Sequence, residues 1–212
     1  MSARAEIFAR IRSRVRGDAA AADARLAARR INLIPERGKA SLDAFEAMAR
    51  EASATVARVR NAAEVPGAIA DYLRRENLPA RAAIAPDPWL AGLDWKRSLL
   101  ETRPGRADPA DEVSVTPALA AVAETGTLVL TSGPGTPTTL NLLPETHIVV
   151  VRRDQVVGAY EDAVKRVRAA GAMPRTVNFI TGPSRSADIE QQLQMGAHGP
   201  RRLHIVVVDE HG

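Results

Sequence analysis

The sequence contains no cysteine. That absence excludes disulfides, cysteine nucleophiles, zinc–thiolate sites and any iron–sulfur cluster held by this chain's own thiolates. It fits a reducing compartment, and a cytoplasmic location is the expectation. Aromatic residues are scarce, at 3%, whereas hydrophobic residues reach 45%. The core must therefore be built mainly from Ala, Val, Leu and Ile. No apolar run approaches the roughly 18 residues of a membrane-spanning helix, so no span is expected. The N-terminus is basic but has no apolar signal core, and no secretory signal is read there. Only four histidines occur, His147, His198, His204 and His211. None stands at a metal-ligand spacing from another, so no metal site is expected.

What is present is enough for one substantial core, or a core with a small appendage, in 212 residues. The net charge of +4 is uneven: residues 1–40 carry +6 and the remainder −2. A basic arm of this kind can meet nucleic acid or anionic lipid, or can simply be a solvated arginine-rich helix. No aromatic stacking residues interleave with the arginines, which argues against nucleic acid.

Ile7, Phe8, Ile11 and Val15 recur at helical spacing over Ala3 to Val15. Asn32 to Pro35 reads as extended, because proline restricts the residue before it. Ser41 is placed to cap a helix from Leu42 to about Asn61, with Leu42, Phe45, Met48, Ala49, Ala52 and Val56 on one face. Pro66-Gly67 reads as a boundary, and Ala68 to Asn77 as a short helix. These features predict an N-terminal helical segment over 1–65 and an α/β domain over 66–212. Strand candidates in the latter are Ala82 to Ala85, Val113 to Val115, Thr127 to Thr131, His147 to Arg152, Thr176 to Ile180 and Leu203 to Val208. Trp89 to Leu100 reads as a short helix plus a strand, and Arg103 to Pro109 as a loop. Thr116 and Pro117 suit the start of a helix ending near Glu124. Ala159 to Ala170 is a helix closed by Gly171. The stretch Thr176 to Asp209 reads as strand, glycine turn, helix (Ala187 to Met195) and strand, a unit expected to form a parallel pair. Alternation of strands and helices predicts an α/β sandwich. The short interval from Leu130 to His147 leaves no room for a full helical crossover, so the sheet is expected to be mixed there.

Three polar clusters stand at the ends of apolar runs. In Glu124-Thr125-Gly126-Thr127 a carboxylate beside two hydroxyls can act as a general base or bind a hydroxyl. The same residues can be ordinary helix-end chemistry. In Thr131-Ser132-Gly133-Pro134-Gly135-Thr136-Pro137-Thr138-Thr139 successive backbone N–H groups among glycines and hydroxyls can cradle a phosphate or carboxylate, or form a surface loop. The cluster matches neither a Walker loop nor a nucleophile elbow. Thr181-Gly182-Pro183-Ser184-Arg185-Ser186-Ala187-Asp188-Ile189-Glu190 offers hydroxyls and a guanidinium at a helix start, which suits an anion, although Asp188 and Glu190 oppose one unless they face away. Plain capping by Ser184 or Ser186 explains the same pattern.

These stretches together resemble the lactate utilization protein C family, which carries a LUD domain. The resemblance rests on Ala123-Glu124-Thr125-Gly126-Thr127-Leu128-Val129 and Pro144-Glu145-Thr146-His147-Ile148-Val149-Val150-Val151. It is most specific in Gly182-Pro183-Ser184-Arg185-Ser186-Ala187-Asp188-Ile189-Glu190 and in Gly196-Ala197-His198-Gly199-Pro200 before Leu203-His204. The resemblance implies a three-layer α/β/α sandwich with a mixed, mainly parallel sheet, similar to the sugar-phosphate isomerase and CoA-transferase group, preceded by N-terminal helices. It implies a part in oxidation of L-lactate to pyruvate beside two partner proteins that carry iron–sulfur motifs. With no cysteine, this chain would be the cluster-free, accessory or substrate-binding component. The candidate site residues are Glu124 as catalytic base and, for the ligand, Thr125, Gly126, Thr127, Ser132, Gly133, Gly182, Ser184, Arg185, Ser186 and His198. The alternative is a stand-alone enzyme acting on a small phosphorylated or carboxylated metabolite in such a cleft.

Overall fold

A computed structural model describes residues 3–14, 18–28, 39–186, 194–195 and 199–210. The chain divides into two compact units, Met1–Ile34 and Pro35–Gly212. The first holds α1 (Ala3–Arg14) and α2 (Ala19–Ala28). Ile7, Phe8 and Ile11 on α1 are exposed.

The second unit opens with α3 (Leu42–Glu51), β1 (Thr55–Val59), α4 (Val65–Arg75), β2 (Arg81–Ile84), α5 (Pro88–Ala91) and β3 (Glu101–Pro104). It continues with β4 (Val113–Pro117), β5 (Ala120–Val122), β6 (Thr127–Thr131), α6 (Thr139–Leu142) and β7 (Thr146–Arg152). Last come β8 (Val156–Val157), α7 (Tyr160–Ala169), β9 (Val177–Ile180), β10 (Arg185–Ser186), β11 (Gln194–Met195) and β12 (Arg202–Val208). Six strands form a sheet in the order β1-β12-β7-β4-β2-β3, with every neighbouring pair parallel. Its centre is β7 and β12, whose β-branched runs pair from Arg202↔Thr146 to Val208↔Arg152.

Successive side chains on a strand point to opposite faces. Ile148, Val150, Val206 and Val208 therefore pack on one side with Val65, Ile69, Tyr72 and Leu73 of α4. Val149, Val151, Leu203, Ile205 and Val207 pack on the other with Leu42, Phe45 and Ala49 of α3. Burial on both faces is why these strands read as unbroken apolar runs. A second sheet, ordered β8-β5-β6-β9, lies on the α3 side through Ala121, Leu128 and Leu130. Its outer face, with Ala120, Val122 and Val129, is covered by Ala163 and Val167 of α7. The fold is the α/β architecture expected, with helices on both sides of a parallel sheet. Antiparallel pairings occur in the second sheet, where β5 meets β6 and β6 meets β9, and between β10 and β11.

Several local expectations give way to tertiary contacts. The helix capped by Ser41, whose side chain accepts from Ala44 N at 3.2 Å, ends at Glu51 rather than near Asn61. Ser53 then takes a left-handed φ of 68°, and Thr55–Val59 joins the sheet edge. The α/β unit thus takes in α3 and β1, ahead of the division expected at 65/66. Arg58 on β1 secures this edge by pairing with the buried carboxylate of Glu46 on α3 at 2.6 Å. Pro66 and Gly67 fall inside the first turn of α4, where a missing N–H costs nothing. The strand expected within Trp89 to Leu100 forms instead over Glu101–Pro104, so Arg103 and Pro104 belong to it rather than to a loop. Thr116-Pro117 does not start a helix. Proline, which cannot donate to a ladder, stands last in β4, and the alanine-rich run after it becomes the fully buried β5. The two strands of Thr176 to Asp209 are not a parallel pair: β9 joins the second sheet and β12 the first. Of the helix expected over Ala187 to Met195, residues 187–193 lie outside the described residues, and Gln194–Met195 pairs antiparallel with Arg185–Ser186. Asn32 to Pro35 also lies outside them.

Candidate functional site

The turn after β9, Thr181-Gly182-Pro183-Ser184, needs Gly182. Its φ is 74°, and a Cβ there would stand 2.1 Å from the Ala52 carbonyl oxygen. The turn between β5 and β6 needs Gly126 in the same way. Its φ is 66°, and a Cβ would stand 2.3 Å from Ala49 N. Only glycine accepts both the left-handed backbone and the close approach. Both polar turns are thereby pressed onto the last turn of α3. Ser184 N donates to Pro200 O at 2.9 Å, which laces the same turn to the segment leading into β12.

Beside the Gly182 turn lies an open-sided cavity of about 290 Å³. Phe179 to Arg185 forms one wall, Gly199, Pro200 and Leu203 another, and Asn141, Leu142 and His147 a third. The turn follows the carboxyl end of β9. Relative to the six-stranded sheet, however, the cavity lies at the amino ends of β7 and β12, because β9 belongs to the other sheet. Arg185 is the only charged residue lining it among the described residues. Its guanidinium is exposed, and Nη2 donates to Ala52 O at 3.3 Å.

The sequence-predicted residues separate into groups. Gly182, Ser184 and Arg185 line the cavity. Ser186 continues into β10; its side chain, like all of His198, lies outside the described residues. Glu124, Thr125, Gly126 and Thr127 do not line it but reach it through one contact. Thr127 is fully buried, and its Oγ1 lies 2.7 Å from Thr125 Oγ1, 2.7 Å from Tyr160 OH and 2.6 Å from Thr181 Oγ1. A hydroxyl has one proton, so Thr127 donates to one neighbour and accepts from the others. The result is a hydroxyl chain from Thr125, beside half-buried Glu124, to Thr181 on the cavity wall. Ser132 and Gly133 stand apart. Ser132 Oγ accepts from Thr176 N at 2.9 Å, and Gly133 pairs with Thr136 across a closed turn. Their N–H groups are already used, which leaves no cradle there.

Among the lining residues that were not expected, two carry buried polar side chains, His147 and Asn141. His147 is fully buried on β7, with Nε2 2.7 Å from Thr116 Oγ1 and Nδ1 without a partner among the described residues. Burial pushes its pKa down to about 3, so the imidazole is neutral at physiological pH. Asn141 on α6 is 3% exposed. A histidine inside an otherwise apolar, doubly buried strand was the available signal; Asn141 gave none. A guanidinium at the mouth, a neutral imidazole within, an amide, two hydroxyls and the apolar walls Leu142, Phe179 and Leu203 suit a small carboxylate bearing a second oxygen.

The LUD domain family profile matches residues 106–208, the segment that holds both polar turns, His147 and the lead into β12. Lactate utilization protein C of Deinococcus radiodurans is 38% identical over 150 residues, 70% of this chain and 70% of that protein. This chain belongs to the lactate utilization protein C family. Proteins of the same name from Geobacillus sp. (39% identity, covering 42% of this chain and 39% of theirs) and Shouchella clausii (37%, covering 55% and 50%) are also similar. The chain's match thus spans half or less of those two relatives. The crystal structure of a DUF162 family protein from Deinococcus radiodurans is similar with a TM-score of 0.61 and 30% identity, covering 79% of this chain and 96% of that one. That likeness supports the α/β fold found here for this member of the family. Among the described residues, no helix is long and apolar enough to cross a membrane.

Proposed function

We propose that this protein serves lactate utilization as the cluster-free component of an iron–sulfur complex that oxidises L-lactate to pyruvate, and that the cavity beside Arg185 receives the substrate. The observation that carries this reading is the pairing of one guanidinium, Arg185, with a buried neutral imidazole, His147, across a cavity of small-molecule size. Arg185 and Ser184 would hold the carboxylate. Nδ1 of His147, which has no partner among the described residues, would meet the C2 oxygen together with Asn141. Oxidation removes two protons, one from C2 and one from the hydroxyl, together with two electrons; the protons would pass to solvent and the electrons to clusters on two partner proteins, since this chain has no cysteine. Family membership and the names of the relatives support the lactate assignment.

The first experiment is a thermal-shift titration of the whole chain with L-lactate, pyruvate and a panel of sugar phosphates. A ligand of the native state raises the midpoint by mass action. Lactate or pyruvate is expected to raise it, and Arg185→Ala to abolish the rise. In a reconstituted system, lactate oxidation by the two iron–sulfur partners that proceeds equally well without this chain would end the proposal. The hydroxyl chain from Thr125 to Thr181 favours one other reading. A stand-alone enzyme could use Glu124 as base through those hydroxyls on a carboxylated or phosphorylated metabolite. Turnover by the isolated protein, lost in Glu124→Gln, would identify it.

A further inference from the structure

At the amino ends of β1 and β12, on the edge of the six-stranded sheet, a second cavity of about 380 Å³ opens between the ends of α3 and α4. It shares no lining residue with the first. Its polar lining comes from Arg50, Thr55, Tyr72, Arg75, Glu76 and His204. The strand alternation that turns His147 toward α3 turns His204 toward α4.

The construction repeats that of the first cavity. His204 is 1% exposed, and its Nδ1 lies 2.8 Å from Thr55 Oγ1 on the neighbouring strand. The other ring nitrogen, Nε2, is buried with no partner among the described residues. The ring stacks on Tyr72 with centroids 3.8 Å apart and planes 5° from parallel. Burial, and then the nearby Arg75 charge, depress its pKa to about 4, so the imidazole enters recognition as a neutral group. A buried imidazole nitrogen with no hydrogen bond is costly in a site that serves only as core.

The charges at the mouth do not cancel. Arg50 pairs with Glu46 at 3.0 Å, and Glu76 lies 3.9 Å from Arg202. Arg75 has no ion-pair partner among the described residues. Two guanidiniums from two helices therefore face a cavity of small-molecule size, with one positive charge uncompensated. Arginine's planar fork is matched to carboxylate and phosphate oxygens.

We propose that this second cavity binds a small oxyanion, a carboxylate or phosphate group, between Arg50 and Arg75, with His204 and Thr55 meeting a neutral polar atom of the same ligand. The site is independent of the lactate reading, because neither Arg185 nor His147 contributes to it.

The test follows the ring signals of His204 by NMR in the full chain labelled at histidine, with His204→Gln identifying them. The probes are inorganic phosphate, acetate and succinate, each titrated to millimolar concentration. Saturable movement of the His204 signals by at least one probe is expected. Arg75→Ala, a change at an exposed side chain, should weaken that binding by about tenfold or more, equivalent to at least about 1.4 kcal/mol. Arg185→Ala should leave it unchanged. Response to phosphate alone would assign a phosphorylated ligand, and response to acetate or succinate a carboxylate. The proposal is overturned if no probe moves the His204 signals. It is equally overturned if the movement survives Arg75→Ala or disappears with Arg185→Ala.

Discussion

Lowering the pH from about 7.5 to about 5.5 should destabilise this protein before most carboxylates titrate, and two buried imidazoles set the size of the effect. Burial holds His147 down to about 3 and His204 to about 4, against an ordinary value of 6.5. Both are therefore neutral in the folded chain across this range. In the unfolded chain each binds a proton as the pH falls below 6.5, so the unfolded state is favoured by proton uptake that the folded state refuses. The contribution is fully present above pH 6.5 and is lost progressively below it, down to the folded values. One unit below the unfolded pKa, each imidazole costs about 1.4 kcal/mol. The two together cost about 3 kcal/mol, a large share of a typical domain's stability of about 5–15 kcal/mol. Urea unfolding followed by far-ultraviolet circular dichroism at the two pH values measures the loss directly. In the double variant His147→Gln, His204→Gln, stability should be lower at about pH 7.5 but nearly flat between the two pH values. Equal stability of the unmodified protein at both would show that the folded imidazoles take up protons, and would refute the burial argument.

Gly182→Ala should destabilise the protein by about 2–4 kcal/mol, combining a left-handed alanine with overlap on the Ala52 carbonyl. Gly171→Ala, at φ 109° with no atom within 4 Å of the new Cβ, should cost about 1–2 kcal/mol, so a difference between the two in denaturant midpoint isolates the close approach. Thr127→Val keeps the shape but removes the hydroxyl shared by Thr125, Tyr160 and Thr181. It should cost about 1–2 kcal/mol in urea unfolding, and an unchanged midpoint would mean that the chain of hydroxyls contributes no net stability.

The central strands were legible because Ile148 to Val151 and Ile205 to Val208 are β-branched runs with both faces buried, a pattern that needs no knowledge of the partner. Ser41 was legible as a cap because capping is decided within four residues. The run around Ala120 to Val122 was not. Alanine favours helix in isolation, and only complete enclosure between α7 and the α3 side makes it a strand. The break after α3 was equally hidden, since no local residue announces the left-handed Ser53. In the site, Gly182, Ser184 and Arg185 could be read from one turn. Ser132 could not be judged locally, because what occupies its hydrogen bonds is Thr176, more than forty residues away. His147 and Asn141 depend on which wall faces which, and that is a property of two sheets meeting.

The two glycine turns rest on a helix that lies outside the stretch matched by the family profile. Residues 106–208 contain Gly126 and Gly182 but not Ala49 or Ala52, the backbone against which both are seated. They also omit β1, β2 and β3, half of the parallel sheet. The stretch matched by the family profile is therefore smaller than the compact unit Pro35–Gly212. A recombinant chain trimmed to those residues would expose the inner faces of β7 and β12 and leave both turns without a floor. Shuffling between relatives would likewise have to carry Leu42–Glu51 together with the loops it supports, as one inherited block.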